Sequence, residues 1–524
     1  MRLREQTRIN PGSCFRDPRL TSNIDSILVA HRDVKSGRIS TRKNDIILLG
    51  SGLGGLIGGT LLCQKGCSVL LLSEKGYQPL YEREGYRFVP FSNFSEKRLN
   101  PSLLHWLSKE LNLSDLVALR DKPGPKGAEA GSTKQKAAFQ IVLPGSRIDR
   151  FYERSRFQKE WQREFPREAI EVAEFFDKMD DLHQSLQEER AQKGLVFFSD
   201  WNVRSFLKRW SSSEKPLDLS SFSKEFKAFI HLQLILCGNL LDHRLPTSLA
   251  AYLLTDDEPG ETKVTLDLED LKKRILDEFL HRGGRVEEID GVQEVRRHWR
   301  RGFRIVSRED GKEFGSHFLI LNAPLHRLAD LRGEGGKWIV KQEARIQPRY
   351  VWVPLFLGVR ERVIPVGMKD LLVSVKNLDR PYASGNILLI SLSPEGDETQ
   401  SPEGRRAMTV QSLVPVSALN ETSFMEHREA VISHLRRLIP FLDDHIEFID
   451  FNWTKEQIIH QAHWSYPHFL YETPSDFRWR EGILPLRIAR DLYVTGKEKF
   501  PYLGFEGEVL SGWMAANHLL KKLR

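Results

Sequence analysis

Cysteine is scarce in this chain: Cys14, Cys63, Cys67 and Cys237 are the four among 524 residues. Four scattered thiols do not build the disulfide framework of a secreted domain, so a reducing compartment is expected. Cys63 and Cys67 fall in a helix-to-strand pattern, where small buried thiols are the expectation. Long apolar runs are also missing. One uncharged apolar run, Ala228 to Leu241, contains His231, Gln233 and Asn239, is too short to cross a bilayer and reads as a buried helix. The first residues lack an apolar core of signal-peptide length, and a cytoplasmic location is expected. Recognisable metal spacing is lacking. In His460-Gln461-Ala462-His463-Trp464-Ser465-Tyr466-Pro467-His468 the proline interrupts any helical pattern, and no Cys or carboxylate completes a ligand set. No metal is expected there; packing, or a pocket role for His463 or Tyr466, is.

There is no basic stripe interleaved with aromatics, which argues against nucleic acid as a partner. The net charge of +7 is instead concentrated at the start, where residues 1–43 hold ten basic side chains against four acidic ones. Such an arm suits attraction to an anionic membrane surface, so peripheral membrane contact is a second expectation. With 40% hydrophobic and 28% charged residues over this length, the rest is globular and long enough for two domains.

The pattern along the chain is punctuated. Residues 1–43 read as a flexible arm, and Asp121 to Lys136, rich in Gly, Pro and Lys, as an exposed loop. Asp45-Ile46-Ile47-Leu48-Leu49 has the continuous apolar character of a parallel strand buried on both faces. A helix from about Leu268 to His281, a strand near Val292 to Val295 and Phe318-Leu319-Ile320-Leu321 return to α/β character further on. Runs such as Val351 to Leu357, Ile387 to Leu392 and Thr409 to Leu413 predict a largely antiparallel sheet. Pro354 predicts an edge or a bulge in the first of these.

Directly after the first strand comes Gly50-Ser51-Gly52-Leu53-Gly54-Gly55, opening an apolar helix; a second strand, Ser68 to Leu72, leads to Glu74. Each glycine serves a separate purpose. Gly50 makes the tight turn, Gly52 admits backbone close to a pyrophosphate, and Gly55 lets the helix pack on the strand. The N–H groups of Leu53 and Gly54 then face the phosphates. Glu74 is spaced to accept hydrogen bonds from ribose hydroxyls.

At the far end, Asp491-Leu492-Tyr493-Val494-Thr495-Gly496 precedes Phe500-Pro501-Tyr502-Leu503-Gly504-Phe505-Glu506-Gly507-Glu508-Val509. Together with the N-terminal fingerprint this resembles the phytoene desaturase, carotenoid isomerase and retinol saturase family of flavoproteins, within the wider amine-oxidase-like group. The likeness runs from Asp45 to the end and takes in Val292, Asn322-Ala323-Pro324 and Val363-Ile364-Pro365.

The resemblance implies an α/β fold: a Rossmann-like FAD-binding domain built from discontinuous segments (44–120, 268–330, 481–524). An α+β substrate or cap domain (121–267, 331–480) would contain the mostly antiparallel sheet. It implies FAD as cofactor, with Val292 beside the adenine. Gly496, Gly504, Glu506 and Gly507 would lie around the ribityl and pyrophosphate, and a helix beginning near Val509 would point at the flavin. The implied reaction is hydride transfer (desaturation, saturation or isomerisation) on an apolar polyene-like or other lipid substrate, with an electron acceptor that the resemblance does not name. No catalytic side chain carries over. Phe226, Phe229, Ile230 and their neighbours fit a buried helix or the wall of an apolar channel. Three departures stand out. Lys497 follows Gly496 where the family has an acidic or small residue, Glu261-Thr262-Lys263-Val264 replaces a double glycine, and Arg83-Glu84-Gly85-Tyr86-Arg87-Phe88 stands in loosely for a Gly- and Arg-rich turn. Two rivals follow: an amine or porphyrinogen oxidase, and a non-catalytic lipid- or partner-binding protein on the same fold, as in the GDP-dissociation inhibitors.

Overall fold

The computed structural model describes residues 44–75, 81–88, 101–113, 137–151, 153–192, 215–238, 245–255, 268–298, 302–322, 348–418, 421–450, 469–471, 477, 479, 482–497 and 499–523. The basic arm, the 121–136 loop, residues 261–264, the 460–468 histidine cluster and Ala323-Pro324 lie outside them.

Strand β1 (Asn44–Leu49) runs into helix α1 (Leu53–Gln64) and strand β2 (Val69–Glu74), then a hairpin, β3 (Tyr81–Arg83) and β4 (Tyr86–Phe88), and helix α2 (Pro101–Glu110). Strands β5 (Ala137–Leu143) and β6 (Ser146–Phe151) precede helices α3 (Arg154–Glu164), α4 (Ala169–Gln192), α5 (Lys224–Gly238), α6 (Thr247–Leu254) and α7 (Leu268–His281). Next come β7 (Arg285–Ile289), β8 (Val292–His298), β9 (Gly302–Ser307), β10 (Glu313–Leu321), β11 (Pro348–Arg360), β12 (Leu371–Val375), β13 (Ile387–Leu392) and β14 (Arg405–Pro415). Helix α8 (Glu421–Leu438), β15 (Ile446–Asp450), β16 (Phe469–Tyr471), β17 (Arg487–Ala489), β18 (Leu492–Val494) and helix α9 (Gly504–Leu523) complete the order.

The first sheet has the order β17-β18-β10-β1-β2-β7, with β9 and β8 continuing from β10. Its centre is parallel: β1 pairs β2 with Ile46 opposite Val69, β1 pairs β10 with Leu48 opposite Ile320, and β10 pairs β18 with Leu321 opposite Val494. Residues from both ends and the middle of the chain therefore share one sheet. The reason is hydrophobic: Ile46, Ile47, Leu48, Leu71, Leu72, Leu319 and Ile320 are buried, and strands apolar on both faces need helices on both sides. Helices α1 and α9 pack backbone against backbone at Gly58 and Gly512. A Cβ on Gly58 would lie 2.8 Å from the carbonyl oxygen of Gly512, and one on Gly512 would collide with the carbonyl of Gly54.

The second sheet has the order β15-β11-β14-β13-β12-β5-β6, with β16 also on β11. Only the β12–β5 pair is parallel, so the sheet is mostly antiparallel as expected. One face is covered by α8, whose Val431, Ile432, Leu435 and the following Ile439 join Leu357, Leu372, Leu388, Ile390 and Val410 in a single cluster. Pro354 corrects one expectation. It lies in an interior strand, opposite Gln411 of β14. On the other side of β11, β16 pairs at Pro348–Val351 and β15 at Phe356–Val359.

The buried helix α5 resolves into core. Phe226 meets Phe165 and Phe175 edge-on, and Phe229 packs with Phe157 and Phe165. Helix α9 begins at Gly504 rather than near Val509. Gly504 takes φ 53°, ψ −128° after a 3-10 turn at Pro501–Leu503, a conformation open to glycine and poorly accessible to other residues. The helix therefore starts there.

Candidate functional site

The ends of β1, β10 and β18 meet the start of α1. Gly50 has φ 99° and its N–H donates to the Leu72 carbonyl at 2.9 Å, which turns the chain from β1 into the helix. Gly52 is the N-cap, extended at φ −68°, ψ 156°, with no side-chain cap and no acid in the first turn. Leu53 is buried as the first helical residue, and Gly55 would drive a Cβ to 2.7 Å from Leu48 Cδ1. The result is a helix N-terminus whose free N–H groups the local sequence leaves unsatisfied, a ready anion cradle.

Asn322, one residue past β10, ties this turn to the C-terminal segment. Its Nδ2 donates to the Gly52 carbonyl at 2.7 Å, its Oδ1 accepts from Thr495 Oγ1 at 3.2 Å, and its backbone N–H donates to the Leu49 carbonyl at 2.8 Å. Gly496, at φ 103°, donates its N–H to Ser511 Oγ at 2.9 Å. A Cβ on Gly54 would lie 3.0 Å from that Gly496 nitrogen and 2.7 Å from the Glu508 carbonyl. The two glycine-rich segments, more than 400 residues apart, are thus in contact.

The first turns of α9 carry charge into the interior. Glu506 is buried and accepts a hydrogen bond from the Tyr252 hydroxyl of α6. Glu508 is only 3% exposed; its Oε1 accepts the N–H of Gly54 at 3.2 Å, while its Oε2 is buried without a partner among the described residues. Gly507 abuts Phe500, and Val509 is fully buried. Just before the helix, Lys499 is 1% exposed and donates from Nζ to the Leu484 carbonyl at 2.7 Å. The fully buried Tyr502 hydroxyl donates to the Trp479 carbonyl, and burial pushes its pKa well up. Lys497 is half-buried.

Glu74 closes β2 opposite Ile289 of β7, and its side chain is outside the described residues. Val292, half-buried, opens β8 three residues past Ile289, which brings both to the same end of the sheet. The Arg83–Phe88 turn is committed elsewhere: Arg83 pairs with buried Asp450 at 3.0 Å, Tyr81 also reaches Asp450, and Tyr86 donates to Glu447 at 3.3 Å. These contacts dock the hairpin on the second sheet. Among the described residues no cluster of His, Cys, Asp or Glu could hold a metal, and no helix is long and apolar enough to cross a membrane.

Sequence reasoning did not single out Asn322, Ser511, Tyr252 or Glu508 as site residues. Asn322 enters there only within the Asn322-Ala323-Pro324 stretch of the family likeness, with no site role attached. For Glu508 a signal exists: with Glu506 it is one of two carboxylates at a helix start that is otherwise apolar.

A discontinuous parallel sheet with an uncapped glycine-rich helix at its carboxyl edge, joined to a second mostly antiparallel sheet, defines a dinucleotide-fold protein with a cap. The sequence model of the flavin-containing amine oxidoreductases matches residues 108–520, and the chain belongs to that family. It is 23% identical to the chloroplastic prolycopene isomerase of Arabidopsis thaliana over 519 residues, covering 91% of this chain and 82% of that protein. Among solved structures, putrescine oxidase bound to putrescine superposes with a TM-score of 0.57 at 14% identity over 92% of this chain and 99% of that one. Cyclohexylamine oxidase from Brevibacterium oxydans IH-35A gives 0.53 at 13% over 92% and 100%. Both are likenesses of fold.

Proposed function

We propose that this protein is an FAD-dependent oxidoreductase acting on an apolar, polyene-like or other lipid substrate. The observation that carries the reading is the junction of Gly50–Gly55, Asn322 and Gly496 with the start of α9. Its backbone fits a dinucleotide: the turn at Gly50 and the uncapped N–H groups of α1 make an anion cradle, and a Cβ on Gly52 would crowd it, 3.3 Å from Glu508 Oε1. One side chain, Glu508, reaches into that cradle. FAD would be held by the Gly52, Leu53 and Gly54 backbone, by the end of β2 and by the Gly496 turn. When bound, it supplies a two-electron partner able to exchange a hydride with a substrate carbon.

The chain's own part is to orient and to exclude water. The second sheet offers an apolar row, Ile141, Val373 and Leu389, ending at Gln411, whose Nε2 is buried without a partner among the described residues. The prolycopene isomerase likeness supports the same substrate class and, of the three expected reactions, isomerisation.

The test is to mix FAD-loaded protein anaerobically with a panel of polyenes and of primary amines. The reading predicts that a polyene bleaches the flavin or has its own absorption shifted by isomerisation, while amines do nothing. Bleaching by amines, with hydrogen peroxide released on admitting air, would overturn it in favour of an amine oxidase.

A further inference from the structure

We infer that Glu508 is a built-in occupant of the diphosphate position, and that FAD enters this site only by displacing it. The inference rests on the FAD reading above and concerns how firmly the chain holds that cofactor. An acceptor is needed at the start of α1, because Gly52 offers no side chain and the first turn holds no acid. The acceptor present comes from residue 508: Oε1 takes the Gly54 N–H at 3.2 Å, and a Cβ on Gly52 would stand 3.3 Å from the same oxygen.

The rest of the carboxylate is poorly served. It is 3% exposed, Oε2 has no hydrogen-bond partner, and no ion pair to Glu508 exists among the described residues. A buried carboxylate costs free energy unless something compensates it; here the compensation is the positive end of α1. A diphosphate needs that same helix end and brings negative charge to it. Two anions do not share one set of N–H donors, so uptake of FAD turns the Glu508 side chain out of the cradle. The chain thereby becomes a loose, exchangeable holder of its cofactor.

The experiment is equilibrium titration of the full chain with FAD, followed by quenching of flavin fluorescence, for the wild type, Glu508→Ala and Glu508→Gln, with circular dichroism as the check on folding. Glu508→Ala removes both bulk and charge and is expected to lower the Kd by about tenfold or more, about 1.4 kcal/mol. Glu508→Gln, which keeps the bulk and removes the charge, falls between, and serves if the alanine variant does not fold. Tight wild-type binding that changes by less than about twofold in the variants overturns this inference and leaves the FAD reading standing. Absence of saturable binding in the wild type and in both variants overturns the two together.

Discussion

Asn322 shows how much one side chain can join. It links the turn after β1 to the strand before α9 through Gly52 and Thr495, and at 6% exposure it has no water to fall back on. Asn322→Ala is expected to cost about 1–3 kcal/mol in urea unfolding, because it removes two buried side-chain hydrogen bonds, to the Gly52 carbonyl and from the Thr495 hydroxyl. Tyr252→Phe should cost a similar amount by taking a donor from buried Glu506. Two histidines of α8 give a pH signature. Burial pushes His427 and His434 down to about 4; His434 Nδ1–H donates to the Gly385 carbonyl at 3.1 Å and its Nε2 accepts from Ser374 at 2.9 Å. Between their ordinary value of 6.5 and about 4 the unfolded chain binds protons that the folded chain refuses. Stability therefore falls as pH drops through that window, by up to about 1.4 kcal/mol per pH unit for each group, and levels off below it. The urea midpoint followed against pH should show this slope, and His427→Leu should reduce it by roughly half, His434 supplying the rest; an unchanged profile would contradict the assignment.

At the scale of elements, the seam between α1 and α9 decides whether the two ends of the chain can meet. Backbone touches backbone at Gly54, Gly58 and Gly512, so added volume has nowhere to go. Gly58→Ala is expected to destabilise by about 1–3 kcal/mol and Gly512→Ala by more, measured by denaturant midpoint, since overpacking moves helices apart. Much of this level is legible in the sequence. The apolar runs at Asp45–Leu49 and Ile387–Leu392, the helix at Leu268–His281 and the glycine turn follow from periodicity and turn chemistry that act locally. What stays hidden depends on tertiary neighbours. Nothing near Pro354 says that its strand lies inside a sheet, because that is decided by β14 pairing on one side of it and β15 and β16 on the other. Nothing near Gly54 says that its N–H is met by a carboxylate 454 residues away. The start of α9 is masked because Gly504, Gly507 and Gly512 look like loop residues. They are helical, and Gly507 and Gly512 lack side chains because Phe500 and α1 approach too closely for any.

For the whole molecule, the fold and family follow from the shared parallel sheet and from the match over residues 108–520, while the chemistry turns on whether the cradle takes a dinucleotide. Saturating FAD should raise the unfolding temperature, by the equivalent of about 2.7 kcal/mol at a hundredfold excess over Kd. The gain over apoprotein at one fixed FAD concentration should be larger in Glu508→Ala than in the wild type. The most direct measurement is the flavin content of the full chain: equilibrate wild type and Glu508→Ala with FAD, remove the excess, and read visible absorption against protein concentration across a titration. Saturation is expected at about one FAD per chain, reached at lower concentration by the variant. A chain that stays colourless in both forms, at every FAD concentration, would contradict the assignment of this cradle to a dinucleotide.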